Sequence, residues 1–240
     1  MSENKTIILK ATDFQYPSKE ELRIVNLFKP KFKLFSFSLI NPFGILENGA
    51  ILSNKELKRT EDLYHWNYCL QNKIHSLVNA YSIAIVNFNR GVPDDFKSFN
   101  DEIYINRIQF DFYCETYFYF FVSVQDTLWQ ILNIYYNIGL DEYKVFYDKF
   151  IYKVTDQKVK DRVAQFRLTT KDISNFRNKF THRFLLTFPD YRPSIKEENG
   201  NQILSSGIGN FTKSSKLAEQ IKISLKHIAA FITDISLMMP

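Results

Sequence analysis

Cysteine, glycine and proline are all scarce in this sequence of 240 residues, which contains two, seven and seven of them respectively. Cys69 and Cys114 are too few for a disulfide framework, and no CxxC pair or cysteine/histidine cluster indicates a zinc site. Glycine and proline interrupt regular helices, so their scarcity favours a helix-dominated protein. We therefore expect a helical fold that holds neither a metal nor a cofactor.

Long hydrophobic runs are missing as well. The apolar run 117–124 is too short to cross a bilayer. Acidic residues flank it on both sides, Asp111 and Glu115 before it and Asp126 after it. Residues 1–10 lack the pattern of a secretory signal peptide. We expect a soluble, cytoplasmic protein without a membrane partner.

The chain has enough apolar material to form a sizeable core. Hydrophobic residues make up 45% of the sequence and aromatic residues 16%. The formal net charge is +5. This mild basic excess is compatible with a phosphate-bearing partner but does not require one.

Hydrophobic residues recur at helical spacing over most of the chain. Leu63 and Leu70 belong to one such stripe, and Leu217, Ile221 and Leu225 belong to another near the C-terminus. We therefore predict a mainly all-α protein built as an antiparallel helical bundle. The predicted helices span 55–89, 101–139, 141–154, 155–168, 170–186 and 215–238.

A few short segments show β patterns instead. Phe35 and Phe37 alternate with serines, which is the period of a strand. Asn-Gly pairs at 48–49 and 199–200 predict two hairpin turns, one near the N-terminus and one after the helix 170–186. We divide the chain into an N-terminal strand and hairpin appendage, 1–52, and a helical domain, 53–240.

The helix 170–186 carries Arg177, Asn178 and His182 in one short run. Asn178 and His182 are one turn apart and share a face, whereas Arg177 lies roughly 140° from His182 around the helix axis. One helix therefore cannot direct Arg177 and His182 at one small target, and a neighbouring helix or a second copy of the chain has to complete any site. The apolar face of this helix is predicted from Ile173, Phe176, Phe180 and Phe184.

Arginine, asparagine, three further residues and histidine on a late helix of an all-helical domain resemble the signature of the HEPN superfamily. The resemblance implies a small helical bundle that dimerises through the motif-bearing helix. Many members are metal-independent endoribonucleases of toxin–antitoxin and phage-defence systems. The resemblance further implies that Arg177 and His182 of two subunits form a composite catalytic cleft, supported by Asn178. Arg59 and His65 have a similar spacing, but no asparagine follows that arginine.

The helix 101–139 is apolar nearly all round, yet one narrow stripe of it is polar. We expect this stripe to be buried, and buried polar groups need partners because each unpaired group costs about 1–3 kcal/mol. It either faces the motif helix, with Asp126 or Glu115 orienting Arg177 or His182, or forms a network that fixes helix register. The stripe comprises Glu115, Tyr119, Ser123, Asp126, Gln130, Asn133 and Asn137.

Basic residues flank the motif helix in sequence. Lys158 and Lys160 precede it, and Arg192 and Lys196 follow it. They are candidates for contacts with RNA phosphates. A solvated helix face for the first pair and a plain connecting loop for the second are the simpler interpretations.

The functional hypothesis is a homodimeric, metal-independent endoribonuclease with RNA as substrate and, if it is a toxin, an antitoxin as partner. RNA supplies its own nucleophile, the 2′-hydroxyl, while a histidine can transfer protons near neutral pH and an arginine can bind the phosphate. The expected products carry a 2′,3′-cyclic phosphate and a 5′-hydroxyl. The alternatives are a non-catalytic HEPN-like module that binds RNA or nucleotide or regulates by dimerising, and a structural protein in which Arg177 pairs with a neighbouring acid.

Overall fold

The computed structural model describes residues 8–39, 53–94, 100–182, 187, 190–198, 200–205 and 211–239, and of residues 101, 181 and 182 it describes the backbone only. These residues form a mainly α-helical bundle with one small antiparallel sheet, which confirms the predicted fold class. In chain order the helices are α1 (Lys19–Leu27), α2 (Asn54–Asn89), α3 (Asp101–Tyr135), α4 (Tyr147–Lys153), α5 (Gln157–Thr169), α6 (Lys171–His182) and α7 (Ser214–Met238).

Capping residues define the starts of the two long helices. Ser53 and Glu56 form a capping box at α2, in which each side chain accepts a hydrogen bond from the backbone N–H of the other. Asn100 caps α3 by accepting from the N–H of Ile103. Helix α2 gives way to a turn at Gly91, whose φ of 113° is a conformation that glycine adopts without strain.

Helices α2 and α3 pack antiparallel along their length. At one end the Arg59 guanidinium donates to the carbonyl of Tyr135, and at the other the rings of Phe88 and Phe110 lie 5.5 Å apart. This long hairpin forms the centre of the bundle, and the remaining helices pack around it.

Helix α7 closes the bundle through its apolar stripe, as predicted. The buried Tyr117 of α3 is bonded to Ser224 of α7 over 2.8 Å, and Phe231 of α7 stacks on Phe166 of α5 with centroids 4.1 Å apart. The fully buried residues of the α7 stripe are Leu217, Ile221, Leu225, Ile228, Ile232 and Ile235.

The hairpin predicted after the motif helix is present. Strands β1 (Ser194–Glu198) and β2 (Asn201–Ser205) pair antiparallel, with Ser194 opposite Ser205. Gly200 in the turn has a φ of 78°, which explains the glycine at this position.

The predicted strand at 35–39 is wrong. The described N-terminal residues instead contain helix α1, followed by extended chain that has no partner strand. The carbonyl of Phe35 accepts a hydrogen bond from the Asn67 side chain of α2, and the Phe35 ring stacks on Phe37. The alternating pattern therefore serves to pack this segment on the bundle, where Val25 and Phe35 join the core. The other predicted N-terminal feature, the turn at 48–49, lies outside the described residues.

No helix in the described part of the chain combines the length and the apolar character needed to cross a membrane.

Candidate functional site

The motif helix α6 follows α5 after a single intervening residue, Thr170. This threonine is fully buried, and its hydroxyl donates to the carbonyl of Phe166 over 2.7 Å. Asp172 lies in the first turn of α6, where its negative charge suits the helix dipole. The joint between α5 and α6 is therefore fixed from inside the core.

The predicted apolar face of α6 is confirmed within the described residues. Ile173 and Phe180 are buried, and Phe176 is half-buried. Phe118 of α3 stacks on both phenylalanines, with centroids 5.4 Å from Phe176 and 5.7 Å from Phe180. Phe184, the last residue of the predicted face, lies outside the described residues.

Three contacts define an antiparallel register between α3 and the chain of the motif helix. Gln125 of α3 bonds to Thr170 before α6, Phe118 lies against the middle of α6, and Arg107 bonds to the carbonyl of Thr187 beyond it. Moving towards the start of α3 thus means moving towards the end of α6. By this register the backbone of residue 182 lies level with the turn of α3 that contains Phe112.

Arg177 and Asn178 lie on the surface side of α6. Arg177 is half-buried, Asn178 is exposed, and Nη1 of Arg177 donates to Oδ1 of Asn178 over 3.1 Å. The pKa of Asp126 is raised because neighbouring atoms exclude water from its carboxylate, although the residue as a whole is exposed. The positive charges of Lys73 and Arg177 partly offset that rise, so Asp126 lies within electrostatic range of Arg177.

The polar stripe of α3 is not buried, contrary to the expectation from the sequence. Glu115, Tyr119, Asp126 and Asn137 are exposed, Ser123 and Gln130 are half-buried, and Asn133 is buried. The α3 helix is central, but this narrow side of it reaches the surface. The part of the stripe from Glu115 to Asp126 therefore belongs to a surface beside the motif helix. The side chains of Gln130 and Asn133 instead donate to the carbonyls of Glu142 and Leu140 in the chain that follows α3.

A cleft of about 260 Å³ opens where this surface of α3 meets α6. Arg177 is part of its lining, so one of the two predicted catalytic residues borders an accessible cavity. Sequence reasoning missed Phe112 and Thr116 as site residues, although their spacing from Glu115 and Tyr119 places all four on one side of a helix. The lining consists of Phe112, Glu115, Thr116, Tyr119, Arg177 and Phe180.

Residues 66–236 match the family model described as HEPN_Cthe2314-like HEPN. The chain belongs to this HEPN family. The match covers most of α2, all of α3 to α6 and nearly all of α7, and therefore includes both walls of the cleft. Comparisons with curated proteins and with solved structures found no match.

The side chain of His182 lies outside the described residues, as does that of Thr181. The backbone of His182 forms the last residue of α6. Residue 182 is thus at the end of α6, about one and a half turns beyond Arg177. Within the described residues, no three His, Cys, Asp or Glu side chains are grouped as metal ligands would be.

The four predicted RNA-binding residues are not part of the cleft lining. Lys158 is exposed and Lys160 half-buried on α5, while Lys196 is exposed on β1. Arg192 pairs with Asp190 through Nη2 and Oδ2 over 2.6 Å, and this arginine holds the pKa of Asp190 down at about 2. Arg192 therefore has a local role as the partner of an acid.

The second arginine–histidine pair of the sequence, Arg59 and His65, lies just before the residues that match the HEPN family. Nη2 of Arg59 donates to the carbonyl of Tyr135 over 2.5 Å, and Nε donates to the carbonyl of Ile134. These carbonyls belong to the last turn of α3, where a cation also suits the helix dipole. Arg59 thus caps a helix, while His65 is an exposed residue of α2.

A buried ion pair fastens the chain that follows the motif helix. Arg107 of α3 pairs with Asp111 over 2.8 Å and donates to Thr187 and to Ser214 at the start of α7. Burial raises the pKa of Asp111 to about 6, while Arg107 and the Thr187 hydroxyl act to lower it. Burial next to this carboxylate also raises the pKa of Cys114.

Proposed function

We propose that this HEPN protein is a metal-independent endoribonuclease of the toxin or phage-defence type. The observation that supports the proposal best is the position of Arg177, which lines an accessible cleft beside the exposed Asn178. A half-buried arginine that borders a cavity is suited to binding a phosphate, because the planar guanidinium offers several hydrogen-bond donors and keeps its charge.

The proposed reaction needs one acid–base group and one cation. His182 removes the proton of the RNA 2′-hydroxyl or protonates the leaving 5′-oxygen, since histidine titrates near neutral pH. Arg177 stabilises the negative charge that develops on the phosphate as the 2′-oxygen attacks phosphorus. The 5′-oxygen leaves with a proton, so the products are a 2′,3′-cyclic phosphate and a 5′-hydroxyl. Asn178 positions the arginine, and Asp126 orients it through charge.

The proposed active unit is a homodimer with a composite cleft. Arg177 and His182 diverge by roughly 140° around one helix, so one motif helix does not direct both at the same phosphate. A two-fold axis beside α6 brings the arginine of one copy towards the histidine of the other. Ser174, Asn178, Thr181 and Leu185 are the proposed contacts with the second copy.

We further propose that RNA outside the cleft follows the basic side chains around α6. Lys158, Lys160 and Lys196 attract phosphates through charge, and Arg192 joins them by exchanging Asp190 for a phosphate. An antitoxin protein is the partner expected of a toxin of this kind.

Incubation of the purified protein with single-stranded RNA in excess EDTA tests the proposal. Cleavage that yields 2′,3′-cyclic phosphate ends, and that disappears in both Arg177→Ala and His182→Ala, supports the nuclease. RNA binding without cleavage favours the alternative of a non-catalytic HEPN module that binds RNA or nucleotide or regulates by dimerising. Loss of folding in Arg177→Ala instead favours a structural pairing of Arg177 with an acid such as Asp126.

A further inference from the structure

Two aromatic side chains on one wall of the cleft are exposed. Phe112 has 61% and Tyr119 has 60% of its surface accessible, whereas Phe110, Phe118 and Phe121 of the same helix are fully buried. Phe112 and Tyr119 are about two helical turns apart and lie on the same side of α3. Exposed aromatic rings that border one cavity indicate a binding surface more strongly than single exposed rings do.

The other groups of the cleft carry opposite charges. Glu115 lies between the two aromatic residues on α3, and Arg177 lies across the cleft on α6. None of the hydrogen bonds or ion pairs within the described part of the chain uses the carboxylate of Glu115. The cleft thus presents two aromatic rings, an acceptor and a cation to one ligand.

These groups fit a nucleobase with its phosphate. Aromatic rings stack on the faces of unpaired bases, and a guanidinium binds phosphate. A carboxylate only accepts hydrogen bonds, so it favours a base edge with adjacent donors. Guanine presents two such donors, N1–H and the N2 amino group, whereas uracil presents a single donor, N3–H, between two carbonyl oxygens that a carboxylate repels.

The register of α3 and α6 aligns this surface with the motif. Tyr119 lies near the level of Arg177, and Phe112 lies near the level of the backbone of residue 182. When a base stacks between Phe112 and Tyr119, the phosphate of the same nucleotide therefore lies beside the motif helix.

We infer that the cleft is a guanine-selective base site, in which an unpaired guanine of single-stranded RNA stacks on Phe112 and Tyr119 and bonds to Glu115. The choice of RNA as the ligand rests on the proposed function. The base site would determine which nucleotide is brought to the motif, so Phe112, Glu115 and Tyr119 are specificity residues and not catalytic ones.

Fluorescence anisotropy with 2′-fluoro oligonucleotides tests the site separately from cleavage, because such RNA lacks the 2′-hydroxyl. The probe is a labelled oligouridine with a single central guanine, and the comparison probe has hypoxanthine, which lacks the N2 amino group. The full-length protein should bind the guanine probe more tightly than the hypoxanthine probe. Glu115→Gln should remove most of this difference, because the amide no longer offers two acceptor oxygens to N1–H and the N2 amino group of guanine.

The aromatic residues are tested by the same measurement. Phe112→Ala and Tyr119→Ala should each weaken binding at least about fivefold, the lower end for loss of one stacked base. Tyr119→Phe should bind normally because it keeps the ring. Tyr143→Ala, which removes an exposed aromatic outside the cleft lining, and Glu142→Gln are the matched controls and should bind as the unaltered protein does.

Two results would overturn the base site. One is unaltered RNA binding in both aromatic variants. The other is an altered oligomeric mass in these variants with the RNA affinity of each chain unchanged, which would identify the surface as a contact between protein copies.

Cleavage that requires Arg177 and His182 but neither aromatic leaves the nuclease proposal standing without the base site. Guanine binding that requires the aromatics, with no cleavage of ordinary RNA, supports the base site and rejects the nuclease.

Discussion

Nη2 of Arg107 lies 2.6 Å from the carbonyl oxygen of Thr187, and this bond holds the chain just beyond the motif helix against α3. Arg107 is only 2% exposed, so the bond forms in the interior. Its acid partner, Asp111, is also largely buried, and burial raises the pKa of Asp111 from its ordinary 3.8 to about 6. Thr187 is therefore held by an arginine whose acid partner, Asp111, titrates in a mildly acidic range.

The free energy of unfolding should fall as the pH rises from about 4 to about 6. A carboxyl whose pKa is higher in the folded state stabilises the protein below its unfolded pKa, and that stability is lost as the pH rises through the folded pKa. The shift of Asp111 corresponds to at most about 3 kcal/mol. Urea unfolding at pH 4, 5, 6 and 7 measures this change in the free energy of unfolding. Asp111→Asn should flatten this part of the curve, and Asp148→Asn, on an exposed helix position, should not.

The helical part of the fold could be predicted because its apolar residues recur with a clear period. The stripe of α7 and the face of α6 were both identified from spacing alone, and the second hairpin was identified from its Asn-Gly turn. The pattern at 35–39 misled because alternation of large and small residues suits any extended chain with one buried side. The carbonyl of Phe35 accepts a hydrogen bond from the side chain of Asn67, and the local sequence cannot predict this distant contact.

Only one wall of the cleft, the motif helix, could be predicted from the sequence. Arg177 and Asn178 stand out as a motif, but the exposure of Phe112 depends on how α3 is rotated relative to its neighbours. An almost wholly apolar helix does not reveal which side reaches the surface, so its pattern predicts that the polar residues are buried, either against the motif helix or in a network. The exposed Glu115 and Asp126 mark that surface once the packing is known.

Asp126→Asn should lower RNA cleavage by roughly 1.5- to fivefold and leave stability nearly unchanged. The interaction energy of an exposed charge pair is about 0.2–1 kcal/mol. An activation barrier raised by that amount lowers the rate of cleavage by the stated factor. Because Asp126 is exposed, its loss should change the free energy of unfolding by no more than about 0.5 kcal/mol. The effect on rate should shrink at high salt, since ions screen exposed charges.

Measuring kcat/KM at low and high ionic strength checks the role of Asp126. Asp148→Asn again serves as the control, because it removes an exposed carboxylate from another helix. A rate that is insensitive to Asp126→Asn at low salt would rule out an orienting role for this residue.

The protein should be a dimer, and two inactive variants should restore each other. Light scattering at micromolar concentration should give twice the 28.5 kDa mass of one chain. Arg177→Ala and His182→Ala should each be inactive alone. Mixed after unfolding and refolding together, they should recover part of the activity, because a mixed dimer has one cleft with an arginine from one copy and a histidine from the other.

A monomeric mass would argue strongly against the composite cleft. Recovery of no activity in a mixture whose heterodimer is demonstrated by mass spectrometry would show that both residues must come from the same chain. The mixture of Arg177→Ala with itself, treated in the same way, is the control for refolding losses.

His182→Ala should abolish RNA cleavage in EDTA by at least about 100-fold, which is the usual scale for loss of a general acid–base group. Its melting temperature should be nearly unchanged, since at 100° per residue position 182 lies on the side of α6 opposite Ile173 and Phe180, which are buried in the core. A histidine placed for structure would instead join that apolar face. His65→Ala is the matched control, because His65 belongs to the other arginine–histidine pair, is exposed, and should be dispensable. Full activity in His182→Ala would end the nuclease assignment, and a large fall in its melting temperature would show that the histidine is part of the core.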